Sequence, residues 1–283
     1  MKFAFRPLGA LALAAALLPS CTDKRHENTH PVIVDPIDPP YQYCVTDIVY
    51  TCTYGPESYS GTYAITYDEP GRVAGITYTT EDLGTPYEER YRYLPDETVL
   101  ILTYADDDTA YICHLPLNAT GTIREFFAEG EPQERYVYSY GPQDMLASMT
   151  NAEIDSGMRN IRWTEGDMTE ADLFFAMWEE DEEPYLEQAR MRCTYTAHYN
   201  DYSIDINSLT NNYLLPTGGP IPANIGRPGI TSLHLLSELR LEGGPIPALH
   251  TLAYEFDADG RLSTLTVTEP RMDMRHTYTF YYR

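Results

Sequence analysis

The most constraining feature of this sequence is a period-two alternation of tyrosine, threonine, valine and isoleucine with polar residues. The alternation recurs along the chain after residue 40, for example in 63–67, 136–140 and 277–281. Successive side chains of a β-strand point to opposite faces, so the pattern predicts strands with one buried and one wet face. The 25 tyrosines suit such strands, because each ring packs while its hydroxyl reaches a polar partner. The sequence therefore predicts an all-β fold.

Short turns separate these predicted strands. Residues 68–72 (DEPGR) lie between YAITY and VAGITY, and residues 257–261 (DADGR) lie between LAYEF and LSTLTV. Glycine supplies the positive φ that such turns need, so both stretches predict antiparallel hairpins. The aspartates at 106–108 are a third candidate turn. None of these turns has the Gly and Glu spacing of an EF-hand loop, so we expect no metal site.

Helix is expected in one place only. Residues 232–239 (SLHLLSEL) predict a short helix near the C-terminal part of the chain. Residues 171–178 (ADLFFAMW) fit either a helix or a strand, and we favour a strand. The sequence GGPIPA occurs twice, at 218–223 and at 243–248, and we interpret both copies as loops that flank the helix.

The N-terminus has the pattern of an export signal. Basic residues precede an apolar run at 8–18, which is too short to cross a bilayer as a helix. The run ends in Leu-Pro-Ser-Cys, which resembles a bacterial lipobox with Cys21 as the lipidated residue; an ordinary signal peptide is the alternative. We predict a signal peptide at 1–20, a lipidated, proline-rich tether at 21–42 and a single β domain at 43–283. The predicted location is the outer membrane, facing the periplasm or the cell surface.

The tether contains a histidine pattern that invites a catalytic interpretation. His26-Glu27-Asn28-Thr29-His30 matches H-E-x-x-H, in which a helix holds two zinc ligands on one face. Pro31 disfavours helix at the residue before it, and the proline-rich stretch that follows offers nothing to bury a helix face. The pattern therefore predicts a solvated tether and no zinc protease.

Charge and cysteine content limit the partners. The formal net charge is −24, which disfavours nucleic acid because its binding requires neutralisation of phosphates by lysine and arginine. The expected partners are the membrane, through the lipid anchor, and a glycan or an envelope protein. Beyond Cys21 there are four cysteines that form either disulfides or free thiols, and the sequence does not decide: Cys44, Cys52, Cys113 and Cys193.

Several stretches resemble known families. Residues 65–78 and 254–267 resemble YD repeats, the Tyr-Asp…Gly-Arg hairpins of Rhs-type proteins, with weaker echoes at 136–149 and 161–173. The sequence RWTEGDM and residues 193–209 (CTYTAHYNDYSIDINSL) are similar to a family of uncharacterised lipoproteins from Bacteroidota. The resemblance implies an antiparallel sheet of successive YD-repeat-like hairpins, curved or partly closed, carried on a lipid anchor. It implies no reaction, because that family has no established activity.

The sequence offers no catalytic motif. It contains no G-x-S-x-G, no P-loop and no dinucleotide-binding glycine pattern. We therefore expect a non-enzymatic cell-envelope binding module without cofactor or metal. A structural or assembly lipoprotein without a small ligand, and a hydrolase with an unrecognised site, are the alternatives. Aromatic rings that would stack on sugars are the candidate ligand-binding residues: Trp163, Trp178, Tyr136, Tyr138 and Tyr140. Tyrosine rows of this kind are also typical of an ordinary sheet core.

Overall fold

The structure is a computed structural model in which sixteen antiparallel strands close into one barrel. It describes residues 41–283 except 81–84, 107–109, 152, 154–155, 178–184, 211–219, 224, 226–230 and 245–246. The predicted signal peptide, Cys21, nearly all of the tether and most of the turn at 106–108 lie outside the described residues. The strands are β1 (Val45–Tyr54), β2 (Glu57–Tyr67), β3 (Val73–Thr80), β4 (Tyr87–Tyr93), β5 (Glu97–Tyr104), β6 (Ala110–Pro116), β7 (Glu125–Ala128), β8 (Glu131–Tyr140), β9 (Leu146–Asn151), β10 (Gly157–Thr164), β11 (Asp167–Met177), β12 (Tyr185–Tyr199), β13 (His234–Gly243), β14 (Ala248–Phe256), β15 (Leu262–Glu269) and β16 (Met274–Tyr282).

Each strand pairs with its neighbours in sequence, and β1 pairs with β16 to close the barrel. The seam runs from Val45 opposite Tyr282 to Tyr54 opposite Met274. The predicted all-β, antiparallel character is confirmed. The predicted curved or partly closed sheet of YD-repeat-like hairpins is corrected to a fully closed barrel. Closure pairs the backbone groups that the first and last strands would otherwise expose.

The helix predicted at 232–239 is wrong, because these residues enter strand β13. In the pairing with β12, Thr194 lies opposite Glu238 but Tyr195 lies opposite Leu236, so one residue is bulged out. The bulge puts Leu236 and Leu239 on the same inward face at a spacing of three, which imitates helical periodicity. The short helical elements among the described residues are single 3₁₀ turns at Pro142–Asp144 and Ile206–Leu209. No helix in this part of the chain is long and apolar enough to cross a membrane.

Both aspartate-glycine turns form the predicted hairpins. In the first, the Asp68 carboxylate accepts hydrogen bonds from the Arg72 backbone amide at 2.7 Å and from its guanidinium Nε at 2.8 Å. Asp257 and Arg261 repeat the arrangement, at 2.9 and 2.8 Å. The strand predicted at 171–178 is confirmed as far as Met177, in β11, and residue 178 lies outside the described residues.

The two GGPIPA copies occupy different structures. The first copy belongs to the long connection between β12 and β13, where Ile221 is fully buried. The second copy forms the β13–β14 turn, with Gly243 and Gly244 at φ +77° and +71°. The same six-residue sequence thus forms part of a buried segment between β12 and β13 and part of a hairpin turn between β13 and β14.

One recurring hydrogen bond links the two strands of seven hairpins. An aromatic side chain near the end of the second strand points inward and donates to a backbone carbonyl near the start of the first strand. We call these residues anchor aromatics. The bonds, 2.5 to 2.8 Å long, are Tyr67 to Val45, Tyr93 to Val73, Tyr140 to Ile123, Trp163 to Leu146, Tyr195 to Met168, Tyr254 to Leu236 and Tyr282 to Leu262. The β5–β6 hairpin lacks an aromatic at this position.

The connection between β12 and β13 fills one end of the barrel, and we call its described residues (200–210, 220–223, 225 and 231–233) the plug. Asp205 accepts a hydrogen bond from the Asn200 side-chain amide at 2.6 Å. Asn207 donates to the His234 carbonyl at 2.9 Å and accepts from the Leu236 amide at 2.7 Å. Asn207, which lies in the stretch 193–209, therefore fastens the plug to β13. We call this the plug end and the opposite end the distal end.

The inner and outer faces of the barrel differ sharply in chemistry. Inward positions carry aliphatic and tyrosine side chains that form one continuous core. Outward positions are rich in threonine, arginine and glutamate, and their ion pairs include Arg90 with Glu88 (2.8 Å), Arg190 with Asp172 (3.0 Å) and Arg192 with Glu170 (3.2 Å). A membrane-spanning barrel has the reverse pattern, with an apolar band outside and polar residues inside.

The polar outer face is interrupted by apolar side chains on β5, β6 and β7. Ile101 and Ile112 lie directly opposite each other on β5 and β6, and Phe127 of β7 stacks on the His114 ring at 4.9 Å. His114 in turn bridges Glu97 and Glu129 at 3.0 and 2.9 Å. Apolar side chains also face outward elsewhere, as Val49 does on β1 and Phe174 does beside Arg159, whereas ion pairs occupy the outer face of β10 to β13.

The four cysteines of the barrel are free thiols, which settles the choice that the sequence left open. Cys52, Cys113 and Cys193 are buried, whereas Cys44 is half-buried. Burial raises the pKa of the Cys193 thiol to about 12, so this group stays protonated and unreactive at neutral pH.

Candidate functional site

The aromatic residues singled out from the sequence face the barrel interior. Tyr138 is only 5% exposed, and the Tyr136 ring packs against Phe126 with centroids 6.2 Å apart. Tyr140 and Trp163 are half-buried and serve as anchor aromatics. These residues form part of the core and no row on the outer surface. Trp178 lies outside the described residues, and a ligand-binding role for this set stays a prediction.

A second row of tyrosines, not selected from the sequence, crosses the interior on consecutive strands. We call it the tyrosine belt. Its neighbouring ring centroids are 4.8 to 6.1 Å apart within each of two groups, Tyr278 with Tyr50, and Tyr63, Tyr78, Tyr87, Tyr104 and Tyr111 in succession. The belt spans β16 and β1 to β6. It could be found only with the strand register, because its members lie in seven separate stretches of sequence.

A glycine makes room for the belt. The Tyr78 ring lies over Gly61 of the neighbouring strand, where a Cβ would come within 2.5 Å of ring atom Cε2. Glycine weakens a strand interior and often marks a close approach by another group. The approaching group here is an aromatic ring that belongs to the belt.

The belt becomes accessible toward the distal end. Tyr111 closes the row with 42% of its surface exposed, and Tyr54, inward-facing on β1, is 47% exposed. At the plug end the corresponding inward residues Val45, Leu262 and Leu146 are fully buried. Solvent therefore reaches the interior aromatic surface from the distal side.

Polar atoms lie among the belt rings. The buried Tyr87 hydroxyl lies beside the Tyr63 hydroxyl, and this contact partly offsets the rise in the pKa of Tyr63. Beside it on β4, Glu89 is completely buried and accepts a hydrogen bond from the Tyr91 hydroxyl. Burial raises the pKa of Tyr63 and Tyr87, with the Glu89 charge adding to the effect, so both phenols stay neutral donors.

Two histidines border the belt on β14 and β16. The Tyr50 hydroxyl lies 2.9 Å from Nδ1 of His276. His250 Nε2 lies 4.0 Å from the buried carboxylate of Glu269, and its Nδ1 is buried without a hydrogen-bond partner. Burial lowers the pKa of both imidazoles, so they are neutral at pH 7. The arrangement supplies hydrogen-bonding groups beside an aromatic surface.

Other polar clusters have structural explanations. His234 Nδ1 lies 2.8 Å from Asp167, as in a catalytic dyad. The nearby Ser232 hydroxyl accepts from the Met168 amide and donates to Tyr195, so it is fully used in holding the plug. Among the described residues no group of three or more His, Cys, Asp or Glu side chains could hold a metal ion.

Comparison with known proteins gives a structural relationship. No family model matches the sequence, and no curated protein matches it. A porin-like protein from Bacteroides uniformis superposes with a TM-score of 0.51 at 14% identity, over 84% of this chain and 98% of that one. A porin-like protein from Bacteroides vulgatus gives 0.53 at 14% identity, over 86% and 99%. At this identity the likeness shows a shared barrel fold. The resemblance to YD repeats gains no support from it.

Proposed function

We propose that this protein is a non-enzymatic binding module of the bacterial cell envelope that takes a glycan into the distal end of its barrel. The observation that carries the proposal is the tyrosine belt, an aromatic surface reached from solvent with polar groups set among its rings. Ligand sites are typically apolar and aromatic with few polar groups, and barrel mouths are among their usual places.

The outer face supports attachment through the N-terminus. Its arginine–carboxylate pairs suit water, and placing such charges against lipid at mid-bilayer would cost about 2–4 kcal/mol for each arginine. The porin-like neighbours are consistent with an envelope location. We therefore propose that lipidated Cys21 joins the protein to the outer membrane while the barrel stands in water.

A thermal-shift screen of residues 22–283 against neutral oligosaccharides tests the binding proposal. A ligand at about 100 times its Kd should stabilise the protein by about 2.7 kcal/mol. For a domain of this size each kcal/mol raises Tm by about 2–4 °C. The shift should be lost in Tyr111→Ser, which removes the exposed end of the belt.

Tyr281→Ser is the matched control, because Tyr281 is 50% exposed but lies on the outer face. This variant should keep the full ligand-induced shift. No shift with any sugar would favour a structural envelope protein, and an equal loss in both variants would place binding outside the belt.

A further inference from the structure

We propose that two copies of this protein associate through one uncharged side of the barrel, in a two-fold dimer with antiparallel barrels. The side consists of the outer faces of β15, β16, β1, β2 and β3, which are neighbours across the barrel seam. We call it the threonine side. Its centre is a row of hydroxyl side chains from directly opposed positions on four strands: Thr266, Thr277, Thr51 and Ser60. This association does not depend on the proposed ligand.

Charge is distributed unevenly around the outer wall. On the five strands of the threonine side, which the structure describes in full, the only outward residues with a charge are Asp47 and Arg275. The outer faces of β11 and β12 instead carry ion pairs, such as Arg190 with Asp172. Because 22% of the chain is charged, a five-strand surface with one charge of each sign is not a consequence of composition. The threonine side is therefore suited to a partner surface that is also uncharged.

A second copy of the chain is the partner that this distribution favours. The formal net charge of −24 makes two copies repel each other across most of their surfaces. A two-fold interface brings the same patch of both copies together, so a charged patch would meet its own charges. Joining the ion-paired faces of β11 and β12 would also remove those arginines and carboxylates from water. The threonine side meets neither obstacle.

The two charges on the threonine side determine the orientation of the copies. On the β1–β16 pair, Asp47 lies opposite Tyr281 toward the plug end, and Arg275 lies opposite Thr53 toward the distal end. Neither charge forms an ion pair with another described residue. In antiparallel barrels Asp47 lies at the height of the partner's Arg275, so the two-fold symmetry forms two opposite-charge pairs. Parallel barrels would instead place each charge beside its own counterpart.

The shape of the barrel and the length of the tether permit this arrangement. Because a barrel wall is convex, β1 and β16 at the centre of the threonine side make the closest approach. Antiparallel barrels put the two N-terminal connections at opposite ends of the dimer. The ten residues of β1 span at most about 33 Å, whereas residues 22–40 reach at most about 65 Å. Both copies can therefore remain attached to one membrane by the proposed anchor.

Sedimentation equilibrium of residues 22–283 tests the dimer, at protein concentrations of about 1–300 µM to cover weak association. Asp47→Arg and Arg275→Asp should each weaken dimerisation about tenfold, because each replaces two attractions with two repulsions. The double variant exchanges the charges and should restore the wild-type affinity to within about threefold. A wild-type monomer at every concentration would overturn the proposal. A double variant that associates no more tightly than either single variant would overturn it as well, since the antiparallel charge pairs would be absent.

A charge at the centre of the threonine side provides a second test. Thr51→Glu sets two carboxylates against each other across the two-fold axis and should weaken dimerisation at least about 100-fold. Thr194→Glu adds the same charge to the outer face of β12 and should leave dimerisation unchanged. Far-UV circular dichroism shows whether both variants fold, and the charge exchange replaces Thr51→Glu if it does not. Equal weakening by the two variants would overturn the proposal. A monomeric protein whose binding to a neutral polysaccharide is lost in Thr51→Glu would also overturn it and identify a glycan as the occupant of this side.

Discussion

At the scale of single residues, the anchor aromatics explain much of the tyrosine content. Each ring adds to the core, and each hydroxyl reaches a carbonyl of the preceding strand, so the buried polar atom is satisfied. Trp163 replaces tyrosine in one hairpin because its indole N–H is also a donor. Each anchor position therefore requires a large aromatic ring that carries a hydrogen-bond donor.

Removal of one anchor hydroxyl should lower stability measurably. Tyr254→Phe keeps the buried ring but loses the 2.6 Å bond to the Leu236 carbonyl. We expect a loss of about 1–2 kcal/mol in the free energy of unfolding, measured by urea denaturation. Tyr281→Phe, on the outer face, should change it by less than about 0.5 kcal/mol. Equal values for the two variants would mean that the anchor bond contributes nothing.

The sequence predicts the residue types better than their roles. Alternation places Tyr63 and Tyr138 on the buried face of a strand, and both rings do face the interior. It does not tell which tyrosines meet across strands, because that depends on register between segments far apart in sequence. Tyr136, Tyr138 and Tyr140 form one row that is visible in the sequence, whereas the tyrosine belt is assembled from seven strands.

At the scale of elements, strand and hairpin signals were reliable where the period was regular. The Asp68 and Asp257 turns carry glycine at the position with φ of +86° and +80°. Residues 118–122 form a third turn of this kind, with Asn118 in place of aspartate and Gly121 at φ +83°. The pattern Asp or Asn followed three residues later by glycine would have identified it. The sequence predicts a helix in place of the start of β13, because the bulge in this strand interrupts the period of two.

The β9–β10 hairpin depends on one glycine. Gly157 has φ +135°, and a Cβ there would lie 2.1 Å from the Met149 carbonyl oxygen. Gly157→Ala should therefore separate the two strands and destabilise the protein by at least about 2 kcal/mol. Urea denaturation monitored by far-UV circular dichroism measures the loss.

Gly141→Ala provides the comparison within the adjoining β8–β9 turn. Gly141 has a negative φ of −91°, and the nearest atom to its Cβ would be 3.8 Å away. We expect a change within about 0.5 kcal/mol. A Gly157 variant as stable as this one would show that β9 and β10 do not pair as described.

At the scale of the whole molecule, the inner and outer faces decide how the protein meets the membrane. The barrel fold resembles porin-like proteins, but its apolar face is inside and its ion pairs are outside. If the proposed lipid anchor at Cys21 holds the protein, membrane attachment should depend on that residue. We expect the lipidated protein to enter the detergent phase of a Triton X-114 separation and Cys21→Ala to stay in the aqueous phase.

The same separation applied to residues 22–283 provides the control for an effect of the leader. This form should also stay in the aqueous phase. Recovery of residues 22–283 in the detergent phase would show that the barrel itself contacts lipid, and the assignment of its outer face to water would be wrong. Recovery of Cys21→Ala alone in the detergent phase would show only that its signal peptide is retained.

Alternation of polar and apolar residues does not predict that the sheet closes into a barrel. An open sheet and a barrel have the same alternation in each strand, and the four-residue strand β7 is too short to recognise. The count of sixteen strands and the β1–β16 pairing follow from sheet twist and the number of hairpins. Neither quantity is visible in a single stretch of residues.

The β1–β16 seam has a consequence for biosynthesis. The partner of Val45 is Tyr282. The edge of β1 that faces β16 therefore stays unpaired until nearly the whole chain has been synthesised. Long-range pairing of this kind is slow, and an unpaired strand edge is a template for association with other chains. A chain that ends before β16 keeps two such edges, so it should associate with other chains more readily than the full chain does.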